Sequence, residues 1–316
     1  MANPVDALPT LFRGLWKKYT DAEQGGTPLP ELRIAPHVPQ NSQNGQYQVL
    51  NTRLWWDQQR SNAAAGSFDG SAREFQDLDY STLSTALRPF RSVPVRVTDD
   101  IRRMLEAENP DLQMLNTARE LVERSIRGRL GSEIATEVAG LSSGTAIDLS
   151  DAGEDVGKIL AEQADTIQEN TGARPNVFAV GRKALTRMKT NNDIIKEYVG
   201  QASTYGATAG SVSNAGVSQY FREVADCDLV MIDRVVGSAA GTAGFAWSTT
   251  AFFGHVGQGE MPSCLKTASP RADLFEVFVD TLRAFEGGPG QVFSAKGLVD
   301  VVTADTNLGT KHAITL

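Results

Sequence analysis

A strand followed at once by a helix is predicted by residues 172–200, which read GARPNVFAVGRKALTRMKTNNDIIKEYVG. Pro175 favours extended backbone in the residue before it, and residues 177–180 form a short apolar run typical of a strand buried on both faces. Gly181 allows the chain to turn, and apolar residues then recur at roughly helical spacing until Gly200. Enzymes often hold a phosphate at such a turn, but neither G-x-G-x-x-G nor G-x-x-x-x-G-K-S/T is present. The unit therefore points away from an enzyme.

The composition indicates a folded, net acidic protein. With 38 acidic against 30 basic side chains the net charge is -8, so neutralisation of nucleic-acid phosphates has no global support. No apolar run approaches the roughly 20 residues that span a bilayer, and the first residues lack the order of a signal peptide. We therefore expect a protein that is made and folded in the cytoplasm. Cys227 and Cys264 belong to no C-x-x-C pair, and we expect both to be small, buried or half-buried side chains.

The first 97 residues are predicted to form two extended segments. Residues 1–45 are rich in proline and too broken to build a core of their own, which predicts an arm that neighbouring chains would order. Residues 46–97 place a small-residue middle, SNAAAGSFDGSA, between the strand-like segments LNTRLWW and RSVPVRV, as in a long hairpin. Trp55 and Trp56 are adjacent and would point to opposite faces of a strand. Since a thin hairpin cannot bury both, at least one is expected to find a partner elsewhere.

A long helix is predicted over residues 110–140. Asn109 suits the N-cap, Pro110 the first helical position and Gly140 the end. Two pairs of opposite charge four residues apart would lie on the wetter side, Glu120 with Arg124 and Glu123 with Arg127. Apolar residues three to four apart would form the buried side: Leu112, Leu115, Val122, Ile126, Leu130, Ile134 and Val138.

The rest of the chain predicts an α/β lobe followed by strands. A second helix is expected over residues 151–171, before the strand-turn-helix unit at 172–200, and residues 229–232 are expected to form another buried strand. Beyond the linker GSAAGTAG, residues 274–285 and 291–302 flank the turn EGGPG and predict a β-hairpin.

Catalytic and metal-binding patterns are weak. Residues 140–144, GLSSG, match the G-x-S-x-G nucleophile elbow, with Asp233 and His255 as default partners for Ser142. The motif follows a long helix and not a strand, so we interpret it as a helix-terminating loop. His255, Glu260 and Cys264 match no established metal-site spacing. We expect no catalytic, cofactor-binding or metal-binding residues.

In their order along the chain, these elements resemble the major capsid protein of tailed bacteriophages, with the α+β Hong Kong 97 fold. The resemblance covers nearly the whole chain: an N-terminal arm (1–45), an E-loop hairpin (46–97), a P-domain with a long spine helix (98–144), an α/β A-domain (145–250), and closing P-domain strands with a C-terminal tail (251–316). Local similarity lies in ARPNVFAVGRKALTRM with NNDIIKEYVG, in YFREVADCDLVMID and in LFEVFVDTLRAF.

The resemblance implies a structural protein, not an enzyme, that assembles in the host cytoplasm into pentamers and hexamers of a virion shell. That shell would enclose double-stranded DNA without sequence-specific binding, and its partners would be a portal, a separate scaffolding protein and, as an open option, a decoration protein. Residues 46–97 contain no lysine, so the lysine-asparagine crosslink that some members make from this loop is not expected. Candidate contacts between subunits are Trp16, Trp55, Trp56, Phe68, Phe75, Arg124 and Arg127.

Two alternatives remain at this point. An encapsulin, a bacterial protein compartment of the same fold, would enclose enzymes instead of DNA. A cytosolic serine hydrolase that uses Ser142 is the alternative from another class.

Overall fold

The structure is a computed structural model that describes residues 29–39, 46–50, 80–84, 88–92, 94–98, 110–199, 212–233, 235–237, 243–245, 247–257, 261–269, 275–282 and 290–316. Its helices are α1 (Pro110–Ala139), α2 (Val156–Thr171), α3 (Arg182–Met188), α4 (Asn192–Val199) and α5 (Asn214–Ala225), with 3-10 turns at Pro30–Arg33 and Thr306–Leu308. Its strands are β1 (His37–Pro39), β2 (Gln46–Leu50), β3 (Tyr80–Ser84), β4 (Arg88–Arg91), β5 (Val95–Thr98), β6 (Ile147–Asp148), β7 (Val177–Gly181), β8 (Asp228–Ile232), β9 (Val235–Gly237), β10 (Ala243–Phe245), β11 (Thr250–Gly254), β12 (Leu265–Ser269), β13 (Glu276–Leu282), β14 (Gly290–Thr303) and β15 (Gly309–Thr315).

The long helix α1 spans the predicted residues, and its buried side follows an unusual four-residue spacing. Four residues advance an α-helix by about 400°, so a stripe with this spacing moves about 40° around the helix at each step. Over the whole stripe the buried side turns by about 200°, which lets one helix contact β5 and β14, the 3-10 turn at Pro30–Arg33, and β15. The buried residues are Ala118, Val122, Ile126, Leu130, Ile134 and Val138.

The first sheet is built on β14, which pairs antiparallel with β4, β5, β12 and β13, while β1 pairs in parallel with β12. Alternate residues of β14 are buried in the same cluster as α1, as expected of a strand with one face on the core. The predicted hairpin of residues 274–285 and 291–302 is confirmed as the pairing of β13 with β14.

The second sheet has the order β6-β15-β11-β7-β8 and, with α2 to α5, forms a unit that we call the lobe. All five residues of β7 are buried, which confirms the predicted strand covered on both faces. Successive side chains of β7 point to opposite faces of the sheet, and each face packs on a different cluster. Val177 and Ala179 face the cluster that contains α1, whereas Phe178 and Val180 face the cluster that contains the lobe helices.

Two helix boundaries differ from the sequence expectations. The strand-turn-helix unit contains two helices, because the chain leaves the helix after Met188 and restarts at Asn192. The buried side chain of Asn191 accepts hydrogen bonds from the amides of Asp193 and Ile194 at 3.0 and 3.2 Å, and its amide donates to the carbonyl of Glu154 at 3.0 Å. It therefore caps α4 and fixes the preceding loop. Helix α2 also starts later than predicted, at Val156 and not at residue 151, because Asp155 caps it by accepting from the amide of Lys158.

The hairpin in residues 46–97 pairs differently from the expectation. Its strands are β2 and β3, with Gln46 opposite Ser84 and Leu50 opposite Tyr80. The segment RSVPVRV, expected to be its second strand, lies in the first sheet, where β4 and β5 pair with β14. Ser92 between them accepts a hydrogen bond from the amide of Ala295 through its hydroxyl and donates its own amide to the Ala295 carbonyl, both at 2.8 Å. These bonds hold the segment on β14 across the break at Pro94.

Candidate functional sites

The turn at Gly181, where related enzyme folds hold a phosphate, is filled by the chain itself. A Cβ atom at this position would lie 1.6 Å from the carbonyl oxygen of Trp247. The indole Nε1 of Trp247 in turn donates to the carbonyl of Gly131 in α1, at 3.4 Å. Glycine is therefore required by close packing and not by a ligand. The turn connects the lobe to the long helix, a role for Trp247 that sequence patterns did not indicate.

The three residues of the conceivable hydrolase do not come together. Ser142 lies in the loop after α1, and its carbonyl accepts the amide of Lys311 at 2.9 Å. Asp233 follows β8 and pairs with Arg182 at 2.7 Å, whereas His255 follows β11, with its Nδ1 2.8 Å from the carbonyl of Arg174. Since β11 is antiparallel to β7 and β7 parallel to β8, Asp233 and His255 lie beyond opposite ends of five-residue strands, about 20 Å apart along the sheet. The loop interpretation of residues 140–144 agrees with this placement.

In the part of the chain that the structure describes, no group of three or more His, Cys, Asp or Glu residues is arranged to hold a metal ion. Glu260 lies outside the described residues, and Cys264 meets His255 only through the backbone, with its amide 2.9 Å from the His255 carbonyl. Both cysteines are buried, as predicted. Burial raises the pKa of Cys227 to about 12 and also raises the pKa of Cys264, so both thiols are protonated at neutral pH.

His312 is a buried histidine with fixed hydrogen bonds. Its Nδ1 lies 2.7 Å from the carbonyl of Thr145, and its Nε2 lies 3.0 Å from the hydroxyl of Thr310. A carbonyl can only accept, so Nδ1 carries the proton and Nε2 accepts from the hydroxyl. Burial lowers the pKa of His312, because the charged form would lose its hydration. The ring also borders a cavity of about 420 Å³ between the end of α1 and β15, and none of the described residues that line it is a carboxylate.

Residues 29–39 are packed into the core of their own chain, although their prolines indicated only an arm. Leu29, Ile34 and Ala35 are buried in the cluster that contains α1. Thr267 of β12 holds the same segment, because its hydroxyl donates to the carbonyl of Ala35 at 2.8 Å and its amide to the carbonyl of Pro36 at 3.0 Å. The segment is therefore fixed to the first sheet.

A buried ion pair fixes this segment to the long helix. Glu31 is only 1% exposed, and its Oε1 lies 3.3 Å from Nε of Arg127, which also approaches Glu123 at 3.8 Å. The other oxygen of Glu31, Oε2, is buried without a hydrogen bond. Burial raises the pKa of Glu31, and Arg127 opposes this shift. Among the described residues, the carboxylate thus depends on the Arg127 guanidinium for its charge compensation.

An exposed ionic network joins the same segment to the lobe. Arg33 approaches Asp228 at 3.2 Å, and Arg222 of α5 approaches the other oxygen of Asp228 at 2.7 Å. Exposed pairs of this kind contribute little energy individually. Their position nevertheless means that residues 29–39 contact the long helix, the first sheet and the lobe at once.

The candidate contacts between subunits divide into two groups. The five aromatic candidates, Trp16, Trp55, Trp56, Phe68 and Phe75, lie outside the described residues. Arg127 is engaged within its own chain, as above, and the predicted Glu123–Arg127 pair forms. Arg124 is exposed on α1, and no ion pair joins it to Glu120 in the described part of the helix.

No helix among the described residues has the length and apolarity needed to cross a membrane. No protein-family model and no curated protein sequence matches the chain at a significant level.

Solved structures do match over nearly the full length. A crystal structure of a phage-related protein from Bordetella bronchiseptica RB50 aligns with a TM-score of 0.60 at 15% identity, over 99% of this chain and 96% of that one. The capsid of cyanophage P-SCSP1u aligns with a TM-score of 0.49 at 10% identity, over 90% and 88% of the two chains. An encapsulin complex from Synechococcus elongatus PCC 7942 aligns with a TM-score of 0.46 at 12% identity, over 91% and 86%. The likeness to the phage-related protein shows that the chain has the mixed α and β fold of that protein, in agreement with the predicted resemblance at the level of the fold.

Proposed function

We propose that this chain is the major shell protein of a tailed-phage head with the Hong Kong 97 fold. It assembles as pentamers and hexamers into a closed icosahedral shell and performs no catalysis. The observation that carries the proposal is the likeness to the phage-related protein over 99% of the chain. The filled turn at Gly181 supports it, because the place where an enzyme of similar topology would hold its ligand is occupied by Trp247.

In this proposal each described unit takes one role in the shell. Helix α1 is the spine helix and, with the first sheet, forms the P-domain; the lobe is the A-domain; β2 and β3 are the base of the E-loop. The domain limits are those expected from the sequence, at residues 45, 97, 144 and 250, except that β4 and β5 join the P-domain sheet and β11 and β15 join the A-domain sheet. Residues 29–39 become the root of the N-terminal arm, and the arm and loop aromatics, with Arg124, contact neighbouring subunits.

The contents and partners of the particle follow from charge and sequence. A chain with a net charge of -8 would repel packaged double-stranded DNA on average, so the DNA would move along the inner wall without sequence-specific binding. The absence of lysine in residues 46–97 predicts noncovalent contacts, or a decoration protein, in place of crosslinks from that loop. The remaining partners are a separate scaffolding protein and a portal, and assembly takes place in the host cytoplasm.

Expression followed by size-exclusion chromatography tests the proposal. Capsomers, sheets or particles are expected, whereas a small discrete oligomer at every concentration would contradict it. The encapsulin alternative is decided on particles from the native host: double-stranded DNA inside supports a phage head, and a packaged enzyme supports a compartment. On a denaturing gel of the same particles we expect this chain to run as a monomer band of about 34 kDa, and a ladder of its covalent oligomers would refute the absence of crosslinks.

A further inference from the structure

Two helices of the lobe carry opposite and unbalanced charges. Helix α3 has three basic residues and no carboxylate, whereas α2 has three carboxylates and one lysine. The other helices, α1, α4 and α5, each differ from neutrality by at most one charge. The residues concerned are Arg182, Lys183 and Arg187 on α3, and Glu162, Asp165, Glu169 and Lys158 on α2.

The basic face of α3 consists of Lys183 and Arg187, which are four residues apart and exposed. With Arg182, Thr186 and Leu316 they line an open hollow of about 440 Å³. Arg182 is paired with Asp233, but no carboxylate among the described residues lies within ion-pair distance of Lys183 or Arg187. Like charges four apart on a helix repel each other, so this face is unfavourable in an isolated subunit.

The acidic face of α2 consists of Glu162, Asp165 and Glu169, whose spacing places them on one side of the helix. Glu162 and Asp165 are 69% and 64% exposed. Lys158 reaches Glu162 only at 3.9 Å, and Arg174 reaches Asp165 at 3.2 Å. Glu169 has no basic partner among the described residues, so the face as a whole stays negative.

The two faces do not meet within one chain. Helix α3 begins at the carboxyl end of β7, next to Asp233, whereas α2 ends at Thr171, shortly before the amino end of β7. Glu169 therefore lies toward the end of the lobe opposite to α3. Complementary faces at different places on one subunit suit a head-to-tail contact between copies, and such contacts close into rings when the rotation allows.

We propose that the basic face of α3 in one copy docks on the acidic face of α2 in the next copy around a capsomer. The partner is a second copy of this chain, and the contact rests on the proposed shell function. Each face neutralises the repulsion of the other, and the charge pattern selects one orientation of docking over the reverse.

Charge reversal tests the contact. The variants Lys183→Glu with Arg187→Glu, and Glu162→Lys with Glu169→Lys, each place like charges on both faces. We expect each to stay folded by circular dichroism, while the concentration for half-assembly rises at least tenfold. The quadruple variant restores complementarity and should assemble within threefold of the unmodified chain. The charge-conserving control, Lys183→Arg with Arg187→Lys, should assemble normally.

A mixture gives a sharper readout. In a 1:1 mixture of the two reversed variants, every favourable contact joins unlike copies, so even-membered rings can close and five-membered rings cannot. Native mass spectrometry should show hexamers without pentamers. Normal assembly of the reversed variants alone, failure of the quadruple variant to recover, or pentamers at the usual proportion in the mixture would each overturn the contact. If the unmodified chain fails to assemble at all, it is the shell function that fails.

Discussion

Replacing Arg127 with methionine should destabilise the protein in a strongly pH-dependent way. Arg127 is the guanidinium that compensates Glu31, which is 1% exposed and has one oxygen without a hydrogen bond. Methionine keeps most of the apolar stem but leaves the carboxyl without its partner. Removing one member of a buried ion pair typically costs about 3–5 kcal/mol.

Protonation of Glu31 sets the size of the effect. In the variant the folded protein can avoid a buried charge by keeping the proton, at a cost of about 1.4 kcal/mol for each pH unit above the ordinary pKa of 4.5. The cost is then about 3.4 kcal/mol at pH 7 and about 0.7 kcal/mol at pH 5. The pKa of Glu31 is already raised in the folded unmodified protein, so its own stability also falls as pH rises through the window above 4.5. In the variant the pKa of Glu31 in the folded protein is higher still, so stability continues to fall up to a higher pH.

The assay is urea unfolding of the unassembled protein at fixed concentration, at pH 5 and pH 7. We expect the deficit of the Arg127→Met variant to shrink on going from pH 7 to pH 5, by at most about 2.7 kcal/mol. The matched control is Glu31→Gln combined with Arg127→Met, which removes both charges and should remove this pH dependence. Equal deficits at the two pH values, or a pH dependence that persists in the double variant, would refute the role assigned to Glu31.

Four further outcomes are expected. In thermal melts, Gly181→Ala should prevent folding or lower the free energy of unfolding by more than about 3 kcal/mol, because its Cβ would collide with a backbone carbonyl. The control is Gly153→Ala, whose Cβ would lie 3.4 Å from a flexible side chain. It should change the free energy of unfolding by less than about 1 kcal/mol. Asn191→Ala should cost about 1–3 kcal/mol in urea unfolding, since it removes a buried cap with three hydrogen bonds. His312 has a lowered pKa, so the unfolded chain binds its proton first and stability should fall as pH drops below about 6.5; His312→Gln should flatten this part of the stability profile. The thiol of Cys227 should react with a thiol reagent at pH 8 only after denaturation, and rapid labelling of the native protein would show that its burial is wrong.

Local patterns predicted the elements well where each element carries its own signal. The apolar spacing of α1, the continuous run in β7 and the Gly/Pro turn between β13 and β14 all depend on neighbours in sequence. The apolar spacing alone does not predict the break before α4. A local signal for it does exist, since asparagine is a strong N-cap and Asn191 stands before Asn192 and an acidic first turn.

Contacts between residues distant in sequence could not be predicted in the same way. Glu31 meets Arg127 across 96 positions, and the Ala35 carbonyl meets Thr267 across 232. Neither pairing leaves a periodic pattern, so the prolines of residues 29–39 indicate only an arm. The close packing of Trp247 on Gly181 also leaves no pattern in the sequence, because any residue could supply a backbone carbonyl.

The candidate surfaces between copies were only partly accessible from sequence. Unpaired aromatic residues in extended segments indicate a need for partners, but not which ones. The charge imbalance between α2 and α3 is visible in the printed sequence and acquires meaning only when the fold places the two faces apart.

Negative-stain imaging of the purified protein tests the central claim most directly, because a shell protein forms capsomers, sheets or closed particles without any substrate or cofactor. We predict capsomers, sheets or closed round particles at high protein concentration, with pentameric and hexameric clusters visible in them. A single small oligomer that never forms sheets, rings or shells at any concentration or ionic strength would contradict the account.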